Sequence, residues 1–485
     1  MSPERMPGNA RATRVVVALA AFWLVAIALA IVRMEFHQDD FHFLVEHSPL
    51  GPQRPHPELS YLSSDLPFQL ALALGGVIWP FALINTSVYL LTLLAFAQLI
   101  SRLGLQRLEV LLATLLFAFA PGYLGLVMWA SGLEQLGAYL LLVTILLLVD
   151  RYERRERGAL LALAAALLLT GVGVFVKFSV TALAVPLAFL FGRVVVPASV
   201  RRARGGPVYV LFAAAYAIPL LAMQHTGWFD SARSIAGLNR FPENMLQAAL
   251  YLLDPLLLLF FALLLLGGPP GTSPRKAFVH LSRDFSEVAA SPFGGLAAGR
   301  FALLLGGVCL LPFLTNTRNF APYYVVLSFA WLAPLLGRLV ILRLKRTRRS
   351  AVVVALAVAL LLPVHTLLRC FGPEANWRVR PWLDEVATLL REEPRPCRIR
   401  LDVLCPKGED VDAARRTLHR RYRQSEFGYG IVWRTGWRNV PIILGGYGES
   451  DSDSPTAADE ICDELVLFSC GDIVTGKKAV TPRLE

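Results

Sequence analysis

VVVALAAFWLVAIALAIV, residues 15–32, carries no charge and is followed, after Arg33 and Met34, by EFHQDDFHF, residues 35–43. A helix over the first stretch is long enough to cross the hydrocarbon core of a bilayer. The second stretch begins where such a helix leaves the membrane, which puts the adjacent carboxylates of Asp39 and Asp40 at the membrane surface. Neighbouring like charges at the edge of a low-dielectric layer are costly. A membrane enzyme can use such a pair as a general base, or to hold a divalent cation.

Working outward, the composition agrees with the first span. Of 485 residues 55% are hydrophobic and 17% charged, with a mean hydropathy of +0.54, which a soluble globular chain of this size does not need. The net charge of +11 does not mark a nucleic-acid surface. Its Lys and Arg residues fall in short clusters between apolar runs, the pattern that membrane orientation produces.

Met1–Arg14 is short and basic and is expected in the cytoplasm, with residues 15–32 a retained helix rather than a cleaved signal. A polar, Pro-rich loop follows, and then apolar segments near 66–83, 84–101, 108–128, 133–149, 158–176, 180–198, 207–223, 246–266, 301–315, 320–343 and 350–368. The segment 66–83 is interrupted by Gly75, Gly76 and Pro80 and is expected to lie along the membrane. The basic clusters then share one side: Arg102 and Arg107; Arg151, Arg154, Arg155 and Arg157; Arg201, Arg202 and Arg204; Arg275 and Lys276; and Arg343 to Arg349. The opposite loops carry Asp39, Asp40, Glu134, Lys177, Asp230, Glu243 and Arg318. The expectation is an all-α polytopic protein of the cell membrane with about eleven crossings, N-terminus cytoplasmic and C-terminus outside.

Residues 1–369 thus form a multi-pass unit, and 370–485, mixed in polarity, are expected to form a small extracytoplasmic α/β domain. Residues 382–390 and 411–422 have helical spacing, while 399–404, 430–433, 440–444 and 465–468 read as strands. Cys397, Cys405, Cys462 and Cys470 lie here without CxxC spacing, which favours disulfides over a metal site and leaves their pairing open.

A family resemblance rests on the order of several motifs. After the Asp pair come FALINTSVYLL, residues 81–91, running into a helix that ends in Arg102-Leu103-Gly104; then LFAFAP at 116–121; MWASGLEQL at 128–136; and FVKFS at 175–179, with Pro186 beyond. Arg318-Asn319-Phe320-Ala321-Pro322-Tyr323-Tyr324 is a weaker echo. In this order the chain resembles the GT-C class of polytopic membrane glycosyltransferases, which includes protein O-mannosyltransferases and lipid A aminoarabinose transferases. The likeness covers roughly residues 15–200 and departs at Leu133 and Phe178, where many relatives carry an Arg and an acid.

The resemblance implies a GT-C-like core, a polyprenyl-phosphate-linked sugar as donor, and a glycan, lipid or protein acceptor outside the cytoplasm. Asp39 or Asp40 would take the acceptor proton, the other orienting the acceptor or a divalent cation, the one cofactor contemplated. Lys177 and Arg318 would stabilise the leaving phosphate. Glu134, Trp129, Tyr323 and His42 complete the expected substrate-binding set, and His37 joins Asp39 and Asp40 as a candidate metal ligand. The residues alone leave plainer roles open: helix capping for the acids, snorkelling for Lys177, interfacial anchoring for Trp129 and Arg318. Competing functions are a lipid-linked sugar flippase or transporter, for which Asp254 beside Pro255 is the main pointer, and a non-catalytic subunit of envelope polysaccharide assembly.

Overall fold

A computed structural model describes residues 7–32, 34, 36, 40, 43–44, 62, 65–120, 122–202, 206–222, 240–266, 273–314 and 321–346. Beyond these it describes 361, 364–365, 385–388, 390, 398–403, 411, 435, 442–444, 464–470 and 473–480. The described chain is mostly helical.

Helix α1, Pro7–Val32, begins the fold. The apolar run after residue 65 breaks where its glycines sit: α2, Asp65–Ala73, ends in a turn with Gly75 and Gly76 at positive φ. Helix α3, Trp79–Arg102, restarts with Pro80 in its first turn, where the missing amide proton costs nothing. The expected single segment 108–128 is instead two helices. Helix α4, Arg107–Ala118, stops before Pro121, and α5, Tyr123–Val127, starts from Gly122 in the left-handed region. A 3₁₀ turn, Ala130–Gly132, leads into α6, Leu133–Glu153.

Helix α7, Ala159–Thr181, is broken at Lys177, whose backbone is extended. Helix α8, Ala184–Leu190, continues into a π turn over Phe191–Val195. Then follow α9, Val208–Ala222, and α10, Phe241–Leu266. Helix α11, Pro274–Ala290, was not expected, because no apolar run marks it. A two-residue hairpin, β1 Pro292–Phe293 with β2 Leu296–Ala297, joins it to α12, Ala298–Leu314. A 3₁₀ turn, Pro322–Val325, opens α13, Val326–Arg346.

Among the described residues five helical stretches are long and apolar enough to cross a membrane: 79–102, 130–153, 159–177, 241–260 and 322–346. Four shorter apolar helices, 16–32, 179–195, 208–222 and 298–314, accompany them. Leucines such as Leu94, Leu160, Leu168 and Leu303 point outward, two-thirds or more exposed, so the apolar surface continues on the outside of the bundle. That pattern suits membrane insertion. The full expected count of eleven includes 350–368, of which only Leu361, Val364 and His365 are described.

The inner core is aromatic. Tyr89, Tyr123, Phe117 and Phe96 stack in succession at 4.6–4.8 Å and reach Trp331 of α13, which meets Phe301 of α12 at 5.8 Å. The Tyr89 hydroxyl accepts from Trp23 Nε1 and donates to Ala118 O, both at 3.0 Å, so α1, α3 and α4 share one buried polar contact. In an apolar solvent such packing and hydrogen bonding hold helices together where hydrophobic burial cannot.

One end of the bundle gathers the basic residues. Asp150, fully buried, receives Arg102 and Arg154, and Arg102 also pairs with Glu156. Glu153, equally buried, accepts from the Tyr209 hydroxyl at 2.6 Å and from the Arg202 amide at 3.1 Å. Gly192 in the π turn leaves room for that contact: a Cβ there would stand 1.7 Å from the Tyr209 hydroxyl. Arg338 donates to Ser291 Oγ at 2.9 Å and Pro292 O at 2.7 Å and faces Glu109 at 3.4 Å.

In the C-terminal part, β3 Arg398–Val403, β4 Ile442–Leu444, β5 Glu464–Cys470 and β6 Ile473–Val480 form a sheet in the order β4-β3-β5-β6. Strand β3 runs parallel to both β4 and β5, while β6 returns antiparallel to β5. Three of the expected strands are therefore found, with β6 added. The expected strand 430–433 and nearly all of 411–422 lie outside the described residues, as do Cys397, Cys405 and Cys462.

Candidate functional site

The other end of the bundle brings the sequence motifs together. Asp40 has no exposed surface. Its Oδ1 accepts from the Ser131 amide at 2.8 Å and from the Ser131 hydroxyl. A buried carboxylate needs such donors, since its desolvation is otherwise uncompensated. The result is that Asp40 is pinned to the Trp-Ala-Ser-Gly turn, 91 residues away.

That turn is held from three sides. Asn85 of α3 donates from Nδ2 to Trp129 O at 2.7 Å. The Trp129 ring lies 6.0 Å from Tyr323, whose carbonyl accepts from the Tyr139 hydroxyl at 2.7 Å. Gly132 is pressed against α5: an added Cβ would lie 2.2 Å from Leu126 O. Gly122 leaves equally little room beside the Tyr323 backbone, at 2.7 Å from its nitrogen.

In the first turn of α6, Glu134 forms an ion pair with Lys177 of α7. The extended backbone at Lys177, φ −160° and ψ 88°, breaks the helix at the residue whose ammonium reaches Glu134. The Thr181 hydroxyl lies 3.0 Å from both Gly173 O and Lys177 O, bridging the interrupted ladder. Both charges are largely buried, Glu134 more than Lys177. Lys177 is thus engaged with a counter-ion. Sequence reasoning named both residues without coupling them.

Beside the pair opens a cleft of about 320 Å³ lined by Leu62, Leu66, Pro67, Leu70, Ile84, Leu133, Gly137 and Val176. Every lining residue is apolar. Leu133 and Val176 immediately precede Glu134 and Lys177, so the ion pair stands at the rim of an apolar slot. The Leu62 amide donates to Phe175 O at 3.1 Å, closing one wall against α7.

Of the expected site, Asp40, Trp129, Glu134, Lys177 and Tyr323 are therefore gathered at one end. Asp39, His37, His42 and Arg318 lie outside the described residues. Among the described residues no group of three or more His, Cys, Asp or Glu side chains is placed to hold a metal ion. The residues that sequence reasoning missed are Ser131 and Asn85. Their signal was weak: small polar residues buried in apolar helices, each of which must find a partner. Compared with protein-family models, with curated proteins and with solved structures, the chain has no match in any of the three.

Proposed function

We propose that this protein is a polytopic membrane glycosyltransferase of GT-C type that moves a sugar from a polyprenyl-phosphate carrier to an acceptor outside the cytoplasm. The chain crosses the membrane about eleven times, with the basic end cytoplasmic and residues 370–485 forming an outer domain. The observation that carries the reading is the buried Asp40–Ser131 link, which ties Asp40 to the same end of the bundle as the Glu134–Lys177 pair and the apolar cleft.

The chemistry follows from that grouping. An amphiphile with an apolar chain and an anionic head fits an apolar slot with a cation at its rim. The acceptor hydroxyl attacks the anomeric carbon, its proton passes to a carboxylate, and the carbon–oxygen bond to phosphate breaks with the electron pair kept by the phosphate. Because Asp40 Oδ1 already accepts two hydrogen bonds, Asp39 takes the role of base, and Asp40 positions the loop. Lys177, with Arg318, meets the charge developing on the phosphate, and Glu134 holds Lys177 in place.

A flippase is the second reading, favoured by one contact. Asp254, near the middle of α10, lies 3.1 Å from His365 Nε2, and ionisable residues within an apolar span often line a transport path.

Purified protein in lipid, given a panel of polyprenyl-phosphate sugars, is expected to release free polyprenyl phosphate. Asp39→Asn should reduce turnover on the order of 100-fold or more, as loss of a general base does. Turnover surviving in Asp39→Asn would remove the assigned base. Absence of turnover across a broad panel, with translocation of a labelled lipid-linked sugar instead, would replace the enzyme with the flippase.

A further inference from the structure

Seven residues, 267–273, separate the end of α10 at Leu266 from α11, which is followed by the β1–β2 hairpin. The hairpin is fastened to the basic end of the bundle: the Gly294 amide donates to Leu103 O at 3.1 Å, and Gly295 N to Val195 O at 2.6 Å. The C-terminal end of α11 thus lies at that end. Its sequence, PRKAFVHLSRDFSEVAA, puts Ala277, Leu281, Asp284 and Val288 on the buried stripe, with spacings of four, three and four.

Asp284 is the stripe's polar member. It receives Arg343 at 2.7 Å and Arg346, while Glu287 also pairs with Arg346, so both acids of the helix are claimed by α13. Arg275, Lys276 and Arg283 are exposed with no acid of their own helix left to offset them. Alongside the buried stripe, Phe278 and Phe285 are 51% and 45% exposed. Seven residues apart, they lie on nearly the same face. The Phe278 ring is 6.2 Å from Phe260 of α10, whose Leu253 and Leu257 are also about half exposed, so the aromatic flank continues the outward apolar surface of α10.

We propose that α11 is a membrane-surface helix whose Phe278 and Phe285 enter the bilayer while Arg275, Lys276 and Arg283 bind anionic lipid headgroups. Continuity with the outward face of α10 selects lipid over a soluble protein partner, which would meet the aromatics only by displacing the membrane. Arg275 lies beside that flank, and Lys276 and Arg283 lie on the opposite, polar side of the helix, the division of a surface helix that favours an anionic leaflet. The inference concerns a different end of the molecule from the transfer site and does not depend on the reaction proposed there.

The test is hydrogen exchange of the 274–290 amides in the full-length protein, in nanodiscs of phosphatidylcholine alone and with added phosphatidylglycerol. Wild-type exchange is expected to slow on the order of tenfold with the anionic lipid at low salt. The triple variant Arg275→Glu, Lys276→Glu, Arg283→Glu should abolish that difference and leave exchange in phosphatidylcholine unchanged. Phe278→Ser with Phe285→Ser should speed exchange in both. Equal wild-type rates in the two lipids would overturn the proposal, and so would a triple variant that keeps the lipid dependence.

Discussion

Asp40 illustrates how one carboxylate can organise a site without standing free in it. Its Oδ1 accepts two hydrogen bonds from a single residue, Ser131, within a fully buried setting. Hydrogen bonds to charged groups are worth about 1.5–3 kcal/mol each when their loss leaves the charge buried. Ser131→Ala removes the hydroxyl donor and spares the amide, so unfolding stability should fall by about that amount. Asp40→Asn keeps an acceptor oxygen and should fall between wild type and Asp40→Ala, which strands both donors. Chemical unfolding in detergent would check the series, and an Asp40→Ala protein as stable as wild type would mean that the contact does not hold the loop. The acid itself was legible in the sequence, since two carboxylates beside a span invite attention. Its partner was not, because 91 residues separate Asp40 from Ser131 and local periodicity carries no information about that pairing.

At the scale of elements, glycine explains which predicted boundaries were sound. The break at Gly75 and Gly76 was readable, because consecutive glycines stop a helix and both adopt positive φ. Pro121 and Gly122 announced the split between α4 and α5 equally plainly, but hydropathy runs straight through them and the apolar run won. Helix α11 was missed for the opposite reason: a span search seeks unbroken apolar runs, and this helix alternates charges with aromatics. Strand β6 had a usable signal in the Gly471-Asp472 pair, two residues between Cys470 and Ile473. Gly132 serves a different end, since it admits Leu126 O at the turn before α6. Gly132→Ala forces the turn away from α5 and should cost about 1–3 kcal/mol, as overpacking does. Gly125→Ala, whose Cβ would meet nothing within 4 Å, is the matched control. Thermal melts of the two proteins should separate; coincident melts would show that the turn yields freely.

For the whole molecule, the separation of charge between the two ends is the property from which both orientation and function are argued. At one end Arg102, Arg154, Arg202, Arg338, Arg343 and Arg346 meet Asp150, Glu109, Asp284 and backbone carbonyls; at the other lie the Asp40–Ser131 contact and, at the rim of the apolar cleft, the Glu134–Lys177 pair. The basic clusters were legible as a set because the insertion bias acts on every short loop, so many weak signals agree. Burial of their partners was not legible: Asp150 and Glu153 sit in runs that read as ordinary helix ends, yet both are fully buried. The orientation makes a prediction independent of any reaction. With the six native cysteines replaced, single cysteines at Arg155 and Leu62 should label from opposite sides of sealed vesicles of known orientation. A membrane-impermeant maleimide should reach position 155 only from the cytoplasmic face and position 62 only from the outer face. Labelling of both positions from the same face would put the cleft and the basic end on one side of the membrane. The bundle would then lose the arrangement in which a lipid-linked donor and an outer acceptor meet, and the glycosyltransferase reading would fall with it.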